Sequence, residues 1–468
     1  MKTNFILNSD SYKYSHYKQL PPGAEYVNSY IEARGCDDPN YNEVMFFGLQ
    51  AFIKEYLMTP ITREDVEEAK SIIEAHGEPF NYDGWMRIVT EHGGFMPVHI
   101  ESVDEGTIIP LRMMMVQVRN TDPMLPWAAA FVETSLLRAV WYPTSVATVS
   151  WKIRQMLKAY AEKSGATEGV DFKLHDFGAR GVSSNESAML GGMAHLATGA
   201  MGTDTVMALV GAQRYYDEPM AGYSIPAAEH STITAWGEDG EVDAYRNMLK
   251  QFAKPNSLVA VVSDSYDIFN AVDNIWGKEL KQDVIDSGAT VVIRPDSGNP
   301  VEVVRDVICL LMKNYGFTVN EKGYKTLPSC IRVIQGDGIN RDSIEEILRM
   351  MDANRFSLDN VAFGMGGALL QHMNRDTFKF AQKTSSINFD GVEVDVFKNP
   401  VGDATKASKR GILDTIRMTS GGFITVRKPM DQTPFFRYPS SIMRTRYKNG
   451  SIHNIQTFSD IRKKANEE

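Results

Sequence analysis

Short apolar segments alternate with amphipathic ones through the middle of the chain. Each apolar segment ends in a turn rich in glycine or aspartate. These segments are FKLHDFG (172–178), SLVAVVSDS (257–265), ATVVIRPDSGN (289–299), CIRVIQGDG (330–338) and NVAFGMGG (360–367). Their apolar positions run on without alternating with polar ones, which predicts strands of a parallel sheet that is covered on both faces.

Helical patterns follow these segments. They include PVEVVRDVICLLMKNYG after the third segment and INRDSIEEILRMM after the fourth. Repeated strand–helix units of this kind predict an α/β barrel or an open doubly wound sheet. In both architectures ligands bind at the carboxyl ends of the strands, so we expect the functional residues in the turns.

The two ends of the chain have a different pattern. ITREDVEEAKSIIEAHG reads as a helix, whereas GTIIPLRMMMVQVRN, GVEVDVFKN and GGFITVRKP read as strands. We therefore predict an α/β barrel-like catalytic domain over 149–384. A second, mixed α+β domain is then built from 1–148 and 385–468.

Composition narrows the functional classes. The chain has 468 residues, 43% of them hydrophobic, and a net charge of -10, which argues against nucleic acid or an anionic membrane as a partner. Its three cysteines (Cys36, Cys309 and Cys330) form no CxxC motif, which argues against a thiolate zinc site and fits a reducing compartment. With no signal peptide and no apolar run of the ~20 residues that a membrane helix needs, we expect a cytoplasmic protein.

Two glycine-rich turns suit an anion. Gly366 and Gly367 stand at a strand-to-helix junction, with Arg375 about two helical turns later, and Gly336 precedes Asp337 in another turn. Neither turn is a Walker A loop or a GxGxxG motif, which weakens the case for a P-loop kinase or a Rossmann dehydrogenase. Tight packing between helix and strand explains the Gly366–Gly367 pair equally well.

Charged and aromatic residues stand at other strand ends. Arg294 and Asp296 are two positions apart and so share a face, with Asp264 at the previous strand end. They suit a phosphate, a sugar hydroxyl or a metal-bound water, or else form an internal ion pair. Phe177, close to Arg180, is suited to stacking on a planar ligand.

His230 lies in PAAEHSTITAW, directly after Glu229. On its own this is either a reactive imidazole or a hydrogen-bonded loop histidine. The last third of the chain also carries a basic group that is either a solvated face or a site for a polyanion. Its members are Lys383, Lys398, Lys406, Lys409 and Arg410.

Long motifs in the same order resemble the nicotinamide phosphoribosyltransferase family, which belongs to the type II phosphoribosyltransferases. They include DSYKYSHYKQLPPG, LHDFGARGVSS, GTDTV, GYSIPAAEHSTITAWG, VVSDSYDIFNA, IRPDSGNP, RVIQGDG, AFGMGGALLQ and FKNPVGD. The resemblance covers nearly the whole chain. It implies an irregular (β/α) barrel with a second mixed α+β domain, and a head-to-tail homodimer with shared active sites.

The resemblance also implies a reaction. The family joins nicotinamide to 5-phosphoribosyl pyrophosphate with Mg²⁺, and ATP hydrolysis drives the reaction through a phosphorylated histidine. This implies that His230 is the phosphorylated residue and that Glu229 orients it or stabilises its cationic form. Asp264 and Asp296 are the further catalytic residues and the candidate metal ligands.

Substrate contacts are implied residue by residue. The nicotinamide ring lies between Phe177 and Tyr12 of the partner subunit, and Asp204 accepts a hydrogen bond from its carboxamide. The sugar and phosphate contacts comprise Arg180 and Arg294 at the ring and phosphate ends, Asp296, Asp337 and Gly336 at the ribose, and Gly366, Gly367 and Arg375 at the 5′-phosphate. The pyrophosphate or ATP contacts across the dimer comprise Arg34, Lys383, Lys398 and Lys406.

Two positions depart from the family pattern. Ala260 stands where a serine often holds the carboxamide, and Ala179 stands where a tyrosine is expected beside Phe177. Three alternatives remain open. They are a nicotinate phosphoribosyltransferase, a non-catalytic sensor of phosphoribosyl ligands and, more remotely, a barrel glycosidase.

Overall fold

The structure is a computed structural model that describes residues 4–399, 407–429 and 436–467. The chain divides into two compact units. The first comprises Met1–Thr148, Gln213–Glu218 and Met373–Glu468, and the second comprises Val149–Ala212 and Pro219–His372. This division differs from the predicted domain bounds, because residues 213–218 and 373–384 lie with the first unit.

The second unit is built on a parallel six-stranded sheet. In spatial order its strands are Gly202–Thr203, Leu174–Asp176, Val361–Met365, Ile331–Gln335, Thr290–Arg294 and Leu258–Val262. All five pairings between neighbours are parallel. The predicted parallel α/β fold is therefore confirmed, and the last five strands in this order lie within the segments predicted for them.

A short extended segment, 223–227, joins the two edges of this sheet. At one edge Tyr223 donates its N–H to Met201 and accepts from the N–H of Thr203, at N–O distances of 2.7 and 3.0 Å. At the other edge Ala260 donates its N–H to Pro226 at 2.9 Å and accepts from that of Ala228 at 3.0 Å. Single bridges on each side thus close the sheet into an irregular barrel.

Helices connect the barrel strands and begin near their carboxyl ends. They are Asn185–Ala197, Val206–Tyr216, His230–Thr234, Glu241–Phe252, Ile268–Asn270, Ala271–Glu279, Lys281–Ser287, Pro300–Tyr315, Arg341–Ala353 and Gly367–Leu370, and a small hairpin pairs Thr318–Val319 with Lys325–Thr326. Asn299 and Asn340 cap two of the helices by accepting hydrogen bonds from main-chain N–H groups of the first turn. These caps fix the turns at the rim of the barrel.

The first unit is built on an antiparallel seven-stranded sheet. In spatial order its strands are Val392–Asp395, Phe380–Phe389, Ala24–Ala33, Met114–Asn120, Val98–Ser102, Arg444–Lys448 and Ser451–Ile452. Two further antiparallel pairs accompany it, Glu43–Met45 with Ile108–Pro110 and Leu413–Arg417 with Phe423–Arg427. Because three adjacent strands from the N-terminal part pair on both sides with strands from the C-terminal part, the predicted mixed domain built from both ends is confirmed.

Helices and short helical turns complete the first unit. They are Phe5–Leu7, Ser11–Lys18, Leu49–Phe52, Ile53–Leu57, Arg63–His76, Tyr82–Glu91, Ala128–Phe131 and Phe458–Glu467. The 32-residue helix Glu133–Ser164 begins in the first unit and ends in the second. No helix in the described ranges is both long enough and apolar enough to span a bilayer.

Candidate active site

Three residues predicted to contact the substrate line one cavity inside the barrel. Phe177, Asp204 and Arg294 all border a space of about 370 Å³. Each follows or ends a barrel strand, so all three stand at the carboxyl rim of the sheet. The strand ends therefore bring together an aromatic face, a carboxylate and a guanidinium group from distant parts of the sequence.

The ring of Phe177 rests directly on the neighbouring strand at Gly364. A Cβ atom built at Gly364 would lie 1.9 Å from Cε2 of Phe177, so only glycine leaves room for the ring there. The guanidinium carbon of Arg294 is 5.6 Å from the ring centroid, within range of a cation–π contact. The position of the Phe177 ring is thus constrained by the strand on one side, at Cε2 and Cδ2.

Asp204 is held by a second rim residue. Its Oδ1 accepts a hydrogen bond from the hydroxyl of Ser224 at 2.6 Å, and its main-chain N–H donates to the carbonyl of Asp176 at 2.9 Å. Ser224 belongs to the segment that closes the barrel, and it also lines the cavity. It was not predicted as a site residue, because the sequence gives no indication that segment 223–227 lies beside the strands.

Small and medium apolar side chains from five parts of the barrel line the middle of the cavity. Ala260, Val292 and Ile334 form a buried cluster, against which Ile225, Ala362 and the ring of Phe177 pack. Barrel interiors are usually filled by large branched side chains. The alanines leave this one hollow, and Ala260 presents a methyl group where the family often has a hydroxyl.

Burial changes the pKa of several groups on the cavity wall. It lowers the pKa of His175 to about 4 and that of Lys173 to about 8, and it also lowers the pKa of Arg332. His175 is therefore neutral at pH 7. Lys173 and Arg332 stand at or before the amino ends of their strands, so they line the end of the cavity opposite the rim, together with Glu168 and Asp359.

His230 forms a network with two aspartates. Its Nε2 lies 3.0 Å from Oδ1 of Asp264, and its Nδ1 lies 4.0 Å from Oδ2 of Asp296. The other oxygen of Asp264 accepts hydrogen bonds from the hydroxyl of Ser297 at 2.6 Å and the N–H of Asp296 at 3.0 Å. The side chain of Asp264 is only 3% exposed, whereas that of His230 is 47% exposed.

The contact that orients His230 comes from Asp264. Glu229, predicted for that role, accepts a hydrogen bond from Ser231 instead, and its main-chain N–H donates to Thr232 at 3.3 Å. Glu229 is the N-cap of the short helix that His230 begins. Glu229 therefore precedes His230 in the sequence because it caps the helix that His230 begins.

Arg294 and Asp296 form the internal ion pair considered from the sequence. The Nε and Nη2 atoms of Arg294 lie 3.1 and 2.8 Å from Oδ1 of Asp296. A Cβ atom at Gly336 would meet both side chains, at 3.3 Å from Asp296 and 3.4 Å from Arg294. Asp337 follows with an exposed side chain, and its carbonyl accepts from Gln335 at 3.0 Å.

The turn at Gly366 and Gly367 packs closely on the loop that follows Phe177. A Cβ atom at Gly178 would lie 3.0 Å from the carbonyl oxygen of Gly366, and one at Gly181 would lie 3.3 Å from Cα of Gly367. Arg180, exposed, belongs to the same loop. Close packing thus accounts for part of the glycine content, and the predicted phosphate role of this turn stays a prediction.

The remaining predicted contacts belong to the first unit. They are Tyr12, Arg34, Arg375, Lys383 and Lys398, whereas Lys406 lies outside the described residues. Burial lowers the pKa of Lys383, and the positive charges of Arg34, Lys398 and Arg375 lower it further. These three cations therefore lie within electrostatic range of Lys383, as does Glu133, whose charge raises that pKa. Burial raises the pKa of the Tyr12 hydroxyl, and Arg375 lowers it.

The acidic rim residues fit Mg²⁺ in its usual mode of binding. No three histidine, cysteine, aspartate or glutamate side chains of the described ranges gather to hold a metal ion alone. Mg²⁺ commonly binds through one or two carboxylates and completes its shell with water and substrate phosphates. Asp264 and Asp296 offer such carboxylates, although one oxygen of Asp296 is paired with Arg294.

Comparison with known proteins gives consistent results. The model of the Nicotinate phosphoribosyltransferase (NAPRTase) family matches residues 172–450, and that of the Nicotinamide phosphoribosyltransferase N-terminal domain matches residues 4–100. A nicotinamide phosphoribosyltransferase of Xanthomonas campestris is 52% identical, covering 90% of this chain and 89% of the relative. One of Acinetobacter baylyi is 30% identical, covering 97% and 95%.

Solved structures share the fold. A nicotinate-nucleotide pyrophosphorylase from Pyrococcus furiosus aligns with a TM-score of 0.62 at 16% identity, covering 99% of this chain and 95% of that structure. Human nicotinic acid phosphoribosyltransferase aligns with a TM-score of 0.54 at 14% identity, covering 98% and 92%. These similarities extend over both units and confirm the predicted fold class.

Proposed function

This chain belongs to the nicotinate phosphoribosyltransferase family, and on that premise we propose that it transfers the phosphoribosyl group of 5-phosphoribosyl pyrophosphate to nicotinamide. The products are nicotinamide mononucleotide and pyrophosphate, so the enzyme salvages nicotinamide for NAD. The observation that carries the proposal is the convergence of Phe177, Asp204 and Arg294 on one cavity. Relatives named nicotinamide phosphoribosyltransferase support the choice of base.

The cavity recognises a neutral amide on a flat ring. The ring stacks on Phe177, whose own ring is held by contact with the strand at Gly364. The carboxamide donates a hydrogen bond to Asp204, whose position is fixed by Ser224. Nicotinate carries a carboxylate at this point, which the charge of Asp204 repels.

Glycosyl transfer requires no general base. The pyridine nitrogen attacks the anomeric carbon with its lone pair, the bond from that carbon to the pyrophosphate oxygen breaks, and pyrophosphate leaves with the electron pair. The ring becomes a pyridinium cation. Asp296 and Asp337 hold the ribose hydroxyls, and their charges offset the positive charge that develops on the sugar. Mg²⁺, when bound, supplies neutralising charge to the pyrophosphate.

ATP is coupled through His230. Because the carboxylate of Asp264 only accepts hydrogen bonds, the Nε2 of neutral His230 carries the proton and its Nδ1 keeps the lone pair. That Nδ1 attacks the γ-phosphorus of ATP, a nitrogen–phosphorus bond forms, and ADP leaves with the electrons of the broken phosphorus–oxygen bond. Water later hydrolyses the phosphohistidine.

The first unit contributes to a shared active site of a homodimer. Tyr12 of the partner subunit covers the second face of the nicotinamide ring. The cations in the first unit bind the pyrophosphate or the ATP phosphates, and the electrostatic effect of Arg34, Lys398 and Arg375 on Lys383 supports this role. The enzyme acts in the cytoplasm, as is consistent with three free cysteine thiols.

The direct test is to incubate the protein with nicotinamide, 5-phosphoribosyl pyrophosphate and Mg²⁺, with and without ATP, and to measure the mononucleotide and pyrophosphate. Parallel reactions with nicotinate in competition distinguish the family's two bases. Preference for nicotinate would contradict the proposed base. Ligand binding without release of pyrophosphate would instead favour a non-catalytic sensor.

Asp204→Asn will narrow the preference for nicotinamide over nicotinate. Asparagine retains an acceptor for the amide but removes the charge that repels a carboxylate, so the ratio of the two kcat/KM values will fall by about 10-fold or more. Competition assays with both bases measure this ratio. Asp359→Asn, at the opposite end of the same cavity, is the matched control and will leave the ratio near that of the wild type.

A further inference from the structure

Asp176 joins the two rim loops that carry Phe177 and Asp204. It ends the strand Leu174–Asp176 and is fully buried. One carboxylate oxygen accepts the N–H of Gly178 at 2.8 Å, and the other lies 3.2 Å from the hydroxyl of Thr203. Its main-chain carbonyl accepts the N–H of Asp204 at 2.9 Å. A single residue therefore hydrogen-bonds to both sides of the base pocket.

The carboxyl group of Asp176 is also enclosed from behind. A Cβ atom at Gly192, on the helix Asn185–Ala197, would lie 3.2 Å from Oδ2 of Asp176 and 2.6 Å from Cβ of Ala208. The helix Asn185–Ala197 thus packs closely against this carboxyl group at Gly192, and the helix of Ala208 packs against Gly192 in turn. Rigid support of this kind is what holds a recognition group in place.

The carboxyl group of Asp176 is held by hydrogen bonds. No lysine, arginine or histidine of the described ranges forms an ion pair with it, although buried carboxylates are commonly paired. Burial raises its pKa, while hydrogen bonds from Thr205, Gly178 and Thr203 lower it. All three donors belong to the two loops of the base pocket, so this residue holds the two loops in place.

We propose that Asp176 is a positioning residue that sets the distance between the aromatic face of Phe177 and the carboxylate of Asp204, and thereby the selectivity for a ring bearing an amide. Asp176 does not touch the base. It acts on base binding and leaves the phosphoribosyl donor unaffected, because its partners belong to the two base-binding loops. This inference rests on the proposed function.

Asp176→Ala will raise the KM for nicotinamide by about 10-fold, because the side-chain hydrogen bonds to both loops are lost. It will lower the nicotinamide-to-nicotinate ratio and leave the KM for 5-phosphoribosyl pyrophosphate unchanged. Asp176→Asn will restore most of the affinity, since its carbonyl accepts from Gly178 and its amide donates to Thr203. The assays are steady-state kinetics with each base, and calorimetric titration with nicotinamide.

Asp414→Ala is the matched control for losing a buried aspartate. Asp414 is 1% exposed and accepts hydrogen bonds from Ser441 at 2.6 Å and Tyr438 at 3.2 Å in the first unit. The Asp414→Ala substitution will lower the melting temperature without changing the KM for nicotinamide. If Asp176→Ala behaves in the same way, or if Asp176→Asn is as impaired as Asp176→Ala, the proposal is wrong.

Thr203→Val decides the question if Asp176→Ala does not fold. Valine keeps the shape but removes the hydroxyl, so the nicotinamide KM will rise, whereas Thr203→Ser will keep it near the wild-type value. An unchanged KM for nicotinamide in Thr203→Val overturns the proposal.

The same measurements separate this proposal from the proposed function. If the wild type forms no mononucleotide, the proposed function fails, but weaker binding of nicotinamide to Asp176→Ala in the calorimetric titration still supports the positioning role of Asp176. Wild-type protein that binds no nicotinamide overturns both.

Discussion

Replacing Gly364 with alanine will lower kcat/KM for nicotinamide by about 100-fold, because a displacement of the stacking surface by ~1 Å is enough for a loss of this size. The new Cβ atom would overlap Cε2 and Cδ2 of Phe177, at 1.9 and 2.2 Å. Gly364 pairs with His175 in a regular parallel ladder and does not have a positive φ. The strand itself therefore tolerates alanine, and the ring has to move.

A double-mutant cycle isolates this effect. In a Phe177→Ala background the same Gly364→Ala change will cost little, because the ring that it displaces is absent. The measurements are kcat/KM for nicotinamide and the melting temperature of all four proteins. Equal losses in both backgrounds would show that the strand, and not the ring, is sensitive to the substitution.

His230→Ala will abolish the stimulation by ATP while retaining slow ATP-independent formation of the mononucleotide. The phosphoryl acceptor is lost, whereas the base pocket is built from other residues. Asp264→Asn will keep the imidazole but lower the ATP-stimulated rate by about 100-fold or more, as expected when the carboxylate that fixes a histidine tautomer is replaced by an amide. The rates with and without ATP measure both effects.

The phosphorylated atom gives an independent check. Because Asp264 holds Nε2, the phosphoryl group is expected on Nδ1, and ³¹P NMR of the phosphorylated protein distinguishes the two nitrogens. Ser265→Ala, next to Asp264 in the chain, is the control for local disturbance and will leave the site of phosphorylation unchanged. Phosphate on Nε2, or equal loss of both activities in His230→Ala, would contradict the assigned role.

The parallel sheet was predictable because its strands are continuously apolar and its turns carry glycine and aspartate. Five observed strands lie inside the segments predicted for them, for example Thr290–Arg294 within 289–299. The closing segment 223–227 escaped prediction, because two single bridges leave no periodic pattern in the sequence. The pairing of non-consecutive strands in the first unit was not predicted either.

The sequence predicted which residues belong to the site better than it predicted which of them contact one another. The ion pair between Arg294 and Asp296 was one of two alternatives left open by their spacing on one strand end, and the structure contains it. Glu229 was expected to contact His230, but a helix begins between them and directs the two side chains to different partners. The residue that contacts His230 is Asp264, which lies 34 positions later in the sequence. Sequence spacing does not predict contacts over such a separation.

The hollow interior could have been suspected from side-chain size. Ala260 and Ala362 occupy central strand positions where valine or isoleucine usually fills a barrel. Glycine at position 364 adds to the same trend, yet a sequence alone does not say which strand positions point inward. The register of the sheet settles this, because a shift by one residue would send those small residues outward.

The single bridges that close the barrel have an evolutionary consequence. The six-strand ladder does not depend on segment 223–227 for its internal pairing. Insertions, deletions or substitutions there can reshape one wall of the pocket, including Ser224, without rebuilding the sheet. Substitutions in this segment can therefore change the preferred pyridine base at little cost in fold stability. The part of the barrel that binds the activated sugar can stay constant while the preferred base diverges.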